Sequence, residues 1–424
     1  MFISRPSLWT NLDCKDEDQA HVYLKRSKSL PVNLSLYTDD RLPPYHPFFN
    51  IIPHAIGRLG SLFIGAKPEY LQDITNHLSR PAPLLKKLSI RGGYDHEPHR
   101  NPVLTRALFN GDLSSLRELG LDSVRTELPW RNMANLTSFT LCHTSPGGAT
   151  VRQFLEFFES AHRLREVVLY SAAPTSGAQN GWLVSLACLK RFDITGGGSA
   201  SSLLDHVLIP VGTRMTINVD LPNPPTKDHP LKFLNNLRNL PNFTAIELWG
   251  GSALHSYMYF SGPNGQIRMY PNGGTCQMLE SLNHFDTSKT ESLRITGTHL
   301  FNDHLHRALL PMKRLRALTL YRFESSHIFI HALHPSMSPS EVVVCPKLEE
   351  LHLELRQENL DLKDVIGMAT ARASRGAKLK SVTILRGNYV RADVLELKKH
   401  VFHVECGPES NGVDDDGDDI DEGD

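Results

Sequence analysis

One short pattern recurs along most of this 424-residue chain, and it leaves few folds open. An aliphatic residue is followed by two variable residues, an apolar residue, one variable residue and another aliphatic. It reads Leu59/Leu62/Ile64, Leu85/Leu88/Ile90, Leu116/Leu119/Leu121, Leu136/Phe139/Leu141 and Leu164/Val167/Leu169. It continues as Leu189/Phe192/Ile194, Phe243/Ile246/Leu248, Leu315/Leu318/Leu320, Leu348/Leu351/Leu353 and Leu379/Val382/Ile384. Copies without the first aliphatic fit at Leu34/Leu36, Met215/Ile217, Ile267/Met269 and Leu293/Ile295. First aliphatics at 59, 85, 116, 136, 164 and 189 are 26, 31, 20, 28 and 25 residues apart, and those at 315, 348 and 379 are 33 and 31 apart. One match means nothing where Leu is common; a register kept from residue 59 to residue 384 does.

The last two apolar residues of each copy alternate with variable ones, so they point to one face of a short strand. The first aliphatic sits at the approach to that strand and turns inward. A unit of strand, turn and return segment cannot bury its apolar side alone, but stacked on its neighbours it builds a continuous core. Stacking also answers a problem of size, since a single compact core stops growing at roughly 250–300 residues. The expected fold is α/β: a leucine-rich-repeat solenoid, horseshoe-like, with irregular repeats of about 20–33 residues.

The return segments read as partly helical. Val151, Phe154, Leu155, Phe157 and Phe158 fall on one helix face, and Asp361–Arg375 reads as the best helix, with Gly376 as its stop. Pro222–Pro225 and Gly196–Gly198 read as loops. Ser256–Phe260, a turn over 261–265 and Gln266–Tyr270 read as a hairpin that interrupts the rhythm. The organisation expected is an N-terminal segment over 1–28, the repeats over 29–405 and an acidic disordered tail over 406–424.

Net charge is −1, but Asp414–Asp424 holds eight acids and no base, leaving 45 basic against 38 acidic residues elsewhere. A mildly basic body of that kind is weaker evidence for nucleic-acid binding than a focused basic patch, and no nucleic-acid partner is expected. No 18-residue apolar run and no apolar stretch at the N-terminus appear, so neither a membrane partner nor a secretory signal is expected. The six cysteines are scattered without a C-x-x-C pair, which fits a reducing compartment, cytoplasm and/or nucleus. The glycosylation-type triplets at Asn33, Asn135 and Asn242 sit inside apolar repeats and read as chance matches.

No residue pattern points to chemistry. Asp95, His96, Glu97 and His99 are the densest group of metal-ligand types, but no distant Cys or His has partner-like spacing, and a solvated loop is the expected reading. His304, His306, His327, His331 and His334 read as surface or cap residues. Gly196-Gly-Gly-Ser199 lacks the Gly-Lys-Ser/Thr of a phosphate loop, and no Gly-x-Ser-x-Gly elbow is present. No catalytic residue, metal or cofactor is expected, and the chain is expected not to be an enzyme.

The remaining candidates are geometric. The variable residues of each strand face away from the core, onto what a solenoid makes its concave face. Tyr170, Trp249 and Tyr321 follow the last aliphatic of their copies, and Asp193, Glu247, Arg294 and His352 stand between the two strand aliphatics. Amphipathic rings on an exposed sheet suit a protein-binding surface, the alternative being that they pack on neighbouring turns.

Several stretches resemble the F-box/leucine-rich-repeat-like family of mushroom-forming fungi. The likeness is carried by Pro6–Leu12, Tyr23–Ser29, Pro47–Gly57, Cys345–Leu351, Ala371–Lys378 and Ala392–Lys399, and it spans nearly the whole chain. It implies a substrate receptor of an SCF-type (cullin–RING) ubiquitin ligase, in which an F-box docks on the adaptor and the repeats present a protein substrate. Two departures stand out. The Pro-Ser-Leu-Trp segment, which follows the F-box in that family, begins at residue 6 of this chain, so the adaptor is expected as partner only with an upstream F-box. The asparagine of regular repeats is replaced by Gly93, Val124, Thr144 and Ala172. The rival expectations are a free-standing repeat scaffold and an acidic-tailed nuclear repeat protein that binds basic partners such as histones.

Overall fold

A computed structural model of the chain describes residues 5–13, 16–38, 46–92, 103–104, 108–126, 132–143, 149–172, 174, 181–196, 199–210, 212–221, 243–250, 256–263, 265–271, 275–297, 302–323, 327–335, 343–355, 361–385 and 390–407. Seventeen strands among them join one large, mostly parallel sheet, accompanied by helices, in a mixed α/β architecture. The chain falls into two compact units, one of residues 1–221, 231–239 and 264–269, the other of residues 222–230, 240–263 and 270–424. The acidic run after residue 407 and the cluster from Asp95 to His99 lie outside the described residues.

In the first unit, strands Asn11–Asp13, Val32–Thr38, Leu59–Ala66, Lys87–Gly92, Glu118–Asp122, Ser138–Cys142, Glu166–Tyr170, Arg191–Gly196 and Arg214–Leu221 pair in chain order, each parallel to the next. The register is the one the sequence pattern demands. Leu34 and Leu36 lie opposite Leu62 and Ile64, which lie opposite Leu88 and Ile90, and so on to Met215 and Ile217. All of these residues are buried. A slip of one residue would turn every such pair to solvent, so burial itself holds the register.

The first aliphatic of each copy is turned inward by a tight turn. The N–H of Leu85 donates to Ala82 O at 3.0 Å, that of Leu116 to Leu113 O at 3.0 Å and that of Leu164 to Ala161 O at 3.0 Å. The next residue reaches sideways instead. Arg117 N donates to Lys86 O, Thr137 N to Arg117 O and Arg165 N to Thr137 O, each at 2.8 Å, and Lys190 N donates to Arg165 O at 2.7 Å. Each turn is therefore bonded to the one before it, ahead of the strand ladder. At the positions where regular repeats carry asparagine, Val124 and Ala172 are buried and fill the interior with apolar side chains.

The second unit repeats the arrangement with strands Ala245–Gly250, Ser292–Gly297, Ala317–Phe323, Glu350–Leu355, Ser381–Leu385 and His403–Cys406, all parallel in that order. Strand Tyr257–Gly262 pairs antiparallel with Ala245–Gly250. The next strand, Gly265–Pro271, pairs with Arg214–Leu221 and lies mostly in the first unit, so both arms of the hairpin read from the sequence are strands. Leu318, Leu320, Leu351 and Leu353 are buried and opposite one another.

Helices cover the buried face between strands. Helix Val151–Ser160 opens on a capping box of Thr150 and Gln153 and buries Val151, Phe154, Leu155, Phe157 and Phe158. Phe157 packs on Phe139 of the sheet with ring centroids 4.5 Å apart. Rings buried in this way are each worth roughly 1.5–3 kcal/mol. Helix Leu362–Ser374 begins at Asp361, whose side chain accepts from Lys363 N, and ends before Gly376, which takes φ +79°, a conformation costly for any side chain. It also holds Arg372, the largest fully buried side chain among the described residues. The Arg372 guanidinium donates to the carbonyls of Val344 at 2.7 Å and Cys345 at 2.8 Å, and more distantly to Leu333 at 3.4 Å. Burial pulls its pKa below the ordinary arginine value, and these three partners are carbonyls rather than carboxylates.

At the N-terminus, Asn11–Asp13 extends the sheet, and the Trp9 ring lies edge-on to Tyr23 at 4.9 Å with the Arg26 guanidinium 4.4 Å from its centroid. Among the described residues no helix is long and apolar enough to cross a membrane.

Candidate functional site

Each strand presents two rows of side chains on the face opposite the buried pairs, one row between the pair and one after it. The parallel register carries each row from strand to strand, and neighbouring strands lie about 4.8 Å apart. In the second unit the row between the pairs runs Tyr259, Glu247, Arg294, Thr319, His352, Thr383. The row after the pairs runs Tyr257, Trp249, Thr296, Tyr321, Glu354, Leu385.

Five of the seven sequence candidates, Trp249, Tyr321, Glu247, Arg294 and His352, belong to this face and are brought together within four adjacent parallel strands. The rings are half-buried and supported from the side. Trp249 lies parallel to Tyr257, with centroids 6.0 Å apart and planes 3° from coplanar. Arg294 is exposed, and its guanidinium sits 5.6 Å from the Tyr321 centroid, as does that of Arg322. The Tyr257 hydroxyl donates to Glu247 Oε1 at 3.4 Å. The two alternatives for these rings therefore meet in one arrangement: they stand on the solvent face and lean on neighbouring strands. A ring held in this way has lost its rotamer freedom before any partner arrives, which lowers the entropic cost of binding.

Tyr170 and Asp193 belong to the first unit and have a different setting. Tyr170 is 45% exposed and meets the edge of the His143 ring at 4.9 Å. Asp193 is held by Arg191, with Oδ2 2.6 Å from Nη2, and Arg191 also reaches Glu166 Oε1 at 2.9 Å. Asp193 first, and Glu166 after it, keep the Arg191 guanidinium above its ordinary pKa. Lys87 and Glu118 pair at 2.7 Å, and Arg91 and Asp122 at 3.3 Å, in the same lateral fashion. Much of the charge on this face is committed to intramolecular pairs.

Three aromatic residues on these faces escaped the sequence reading. Tyr257 and Tyr259 alternate with buried Met258 and Phe260, a period-two signal that identifies the strand but not which row its partner strand would complete. Tyr37, 62% exposed, follows the degenerate copy Leu34/Leu36 and occupies the same position as Tyr170, Trp249 and Tyr321. Counting from that copy would have found it.

Three of the histidines read as surface or cap residues, His304, His306 and His334, have structural partners. His304 pairs with Glu280 at 3.2 Å, and His306 Nδ1 lies 3.4 Å from Ala332 O. The His334 backbone N–H closes helix His327–Leu333 by donating to Ile330 O at 2.8 Å.

No protein-family model and no curated protein matches the chain.

Proposed function

We propose that the chain is a leucine-rich-repeat-like solenoid that works as a protein-recognition module rather than an enzyme, with the outward face of the second unit as its contact surface. The observation that carries this reading is two preordered pairs on neighbouring strands, the Trp249–Tyr257 stack and Arg294 over the Tyr321 ring, with the three rings half-open to solvent. Trp, Tyr and Arg are the side chains that dominate protein interfaces, because they offer large amphipathic area at low entropic cost. Glu247 and His352 at the margin add directional polar contacts.

The resemblance supports a finer reading, a substrate receptor of an SCF-type ligase whose repeats hold the substrate. That role needs F-box helices for adaptor docking, so residues 1–424 are expected not to hold the adaptor by themselves. The test is capture of partners by the full chain, with Trp249→Ala and Tyr321→Ala as comparisons and purified adaptor as a separate arm. Partners lost from both variants support the second-unit face. Retention of every partner by both variants rules this face out as the contact surface. Saturable adaptor binding by the chain alone would contradict the docking expectation, and recovery of histones would favour the basic-partner alternative.

A further inference from the structure

The turns that precede the strands of the first unit form a row of their own. Lys86, Arg117, Thr137, Arg165 and Lys190 stand two residues before the inward pair, and the sideways backbone hydrogen bonds between their turns run unbroken from Lys86 to Lys190. Lys86, Arg117, Arg165 and Lys190 are exposed, and among the described residues none of their side chains enters an ion pair or side-chain hydrogen bond. The acids nearest in sequence are already engaged: Glu118 by Lys87, Glu166 and Asp193 by Arg191. Arg163 adds charge beside the row, steadied by Asn135 Oδ1 at 3.1 Å. The result is a focused cationic rail that the chain's near-zero net charge conceals.

The geometry points to an acidic, extended peptide segment as the ligand of this rail. Its four cations are spread over five adjacent strands, about 19 Å at ~4.8 Å per strand, which is the reach of roughly six residues of extended chain. Exposed cations in such a line are matched by carboxylates along a strand-like peptide, with charge-assisted hydrogen bonds at each contact. One feature disfavours nucleic acid. No aromatic residue occurs among residues 84–87, 115–118, 135–138, 163–166 and 188–191, so the turns that carry the rail offer bases no ring to stack on. The surface is separate from the aromatic face of the second unit, so it stands or falls independently of that reading.

The test uses the full chain and a fluorescein-labelled oligo-aspartate peptide followed by anisotropy, with a single-stranded oligonucleotide of equal charge alongside. Saturable peptide binding that weakens as salt rises is expected. Arg117→Ser with Arg165→Ser should weaken it about ten-fold, whereas Arg316→Ser with Lys380→Ser in the second unit should leave it within roughly two-fold. Both pairs are exposed, and unchanged thermal melting checks that the fold survives. Tighter peptide binding after deletion of residues 412–424 would add support, since the chain's own acids would then be competing for the rail. Three results overturn the proposal: no saturable peptide binding, equal binding by the Arg117/Arg165 variant, or tighter binding of the oligonucleotide through the same two arginines.

Discussion

At the position two residues before the inward pair, the first unit carries Lys86, Arg117, Thr137, Arg165 and Lys190, while the second carries Thr244, Glu291, Arg316, Glu349 and Lys380. The backbone is bonded alike in both rows: Arg316 N reaches Glu291 O at 2.8 Å, and Lys380 N reaches Glu349 O at 2.7 Å. The side chains are used in opposite ways. In the second unit the signs alternate, and Lys380 closes on Glu349 at 2.8 Å. Lys380 first, and Arg316 after it, hold the Glu349 carboxyl below its usual range. In the first unit the charged members of the row have one sign and, among the described residues, no ion-pair partner. The strand faces invert this contrast, with paired charges on the first unit and leaning aromatic rings on the second. One backbone scheme thus supports two surface chemistries, because only the inward residues are constrained by packing.

If packing alone constrains the interior, the inner faces should be interchangeable in energy. Leu88→Ala and Leu318→Ala remove fully buried side chains at equivalent positions, and each is expected to cost about 2–5 kcal/mol in denaturant unfolding. A gap between them as large as either cost would break the claim of equivalent interiors.

Trp249→Ala sharpens the outward side of the comparison. It should weaken partner binding by about 2 kcal/mol, while the lost ring stacking costs only about 1 kcal/mol of stability. If it destabilises the protein as much as Leu318→Ala does, the ring belongs to the core and the binding face loses its centre.

Acid should act on both units through one histidine each. His46 Nδ1 accepts from Phe48 N at 3.1 Å and so caps helix Pro47–Ala55, a role that requires an unprotonated nitrogen. Burial lowers its pKa from 6.5, as burial and then His331 and Arg375 do for His334. With folded pKa values depressed, the unfolded chain takes up protons first as pH falls. The stabilisation is present above the unfolded pKa of about 6.5 and is lost below it. His46→Ala should cost about 1 kcal/mol at neutral pH. His46→Asn keeps a capping oxygen and should flatten part of the acid dependence of melting, the remainder belonging to His334. An unchanged acid profile in both His46→Asn and His334→Asn would show that neither histidine sets the acid response.

The smallest effect belongs to the lateral ion pairs. Glu118→Gln in the first unit and Glu349→Gln in the second should each leave the melting temperature nearly unchanged, and any small change should vanish in high salt. A larger, salt-insensitive loss would mean that the exposed pairs set the register.

The strand register was legible from the sequence because two signals agree there, alternation within each strand and recurrence between strands. Helices Val151–Ser160 and Leu362–Ser374 were legible for the same reason, with caps at their ends. The cationic rail was not, since charges summed over the chain cancel while charges sorted by repeat position do not. The Trp249–Tyr257 stack was hidden because it depends on an antiparallel strand whose register the repeat pattern does not set. Arg372 was invisible for a different reason: an arginine in a helix ordinarily signals solvent, and its carbonyl partners are 27 to 39 residues away in sequence.

That buried arginine gives the second unit a stopwatch. Arg372 ties the Cys345 carbonyl to helix Leu362–Ser374, and the Cys345 thiol beneath is 1% exposed and pushed by burial up to about 12. It is the thiolate that attacks an alkylating reagent, and the thiolate is almost absent at neutral pH in such a site. Cys345 therefore reacts only when the segment parts from the helix and solvent enters. Cys188, exposed on the first unit, reacts at once and supplies the reference rate in the same tube. The ratio of the two rates reads out how often this part of the second unit opens while the rest of the chain stays folded.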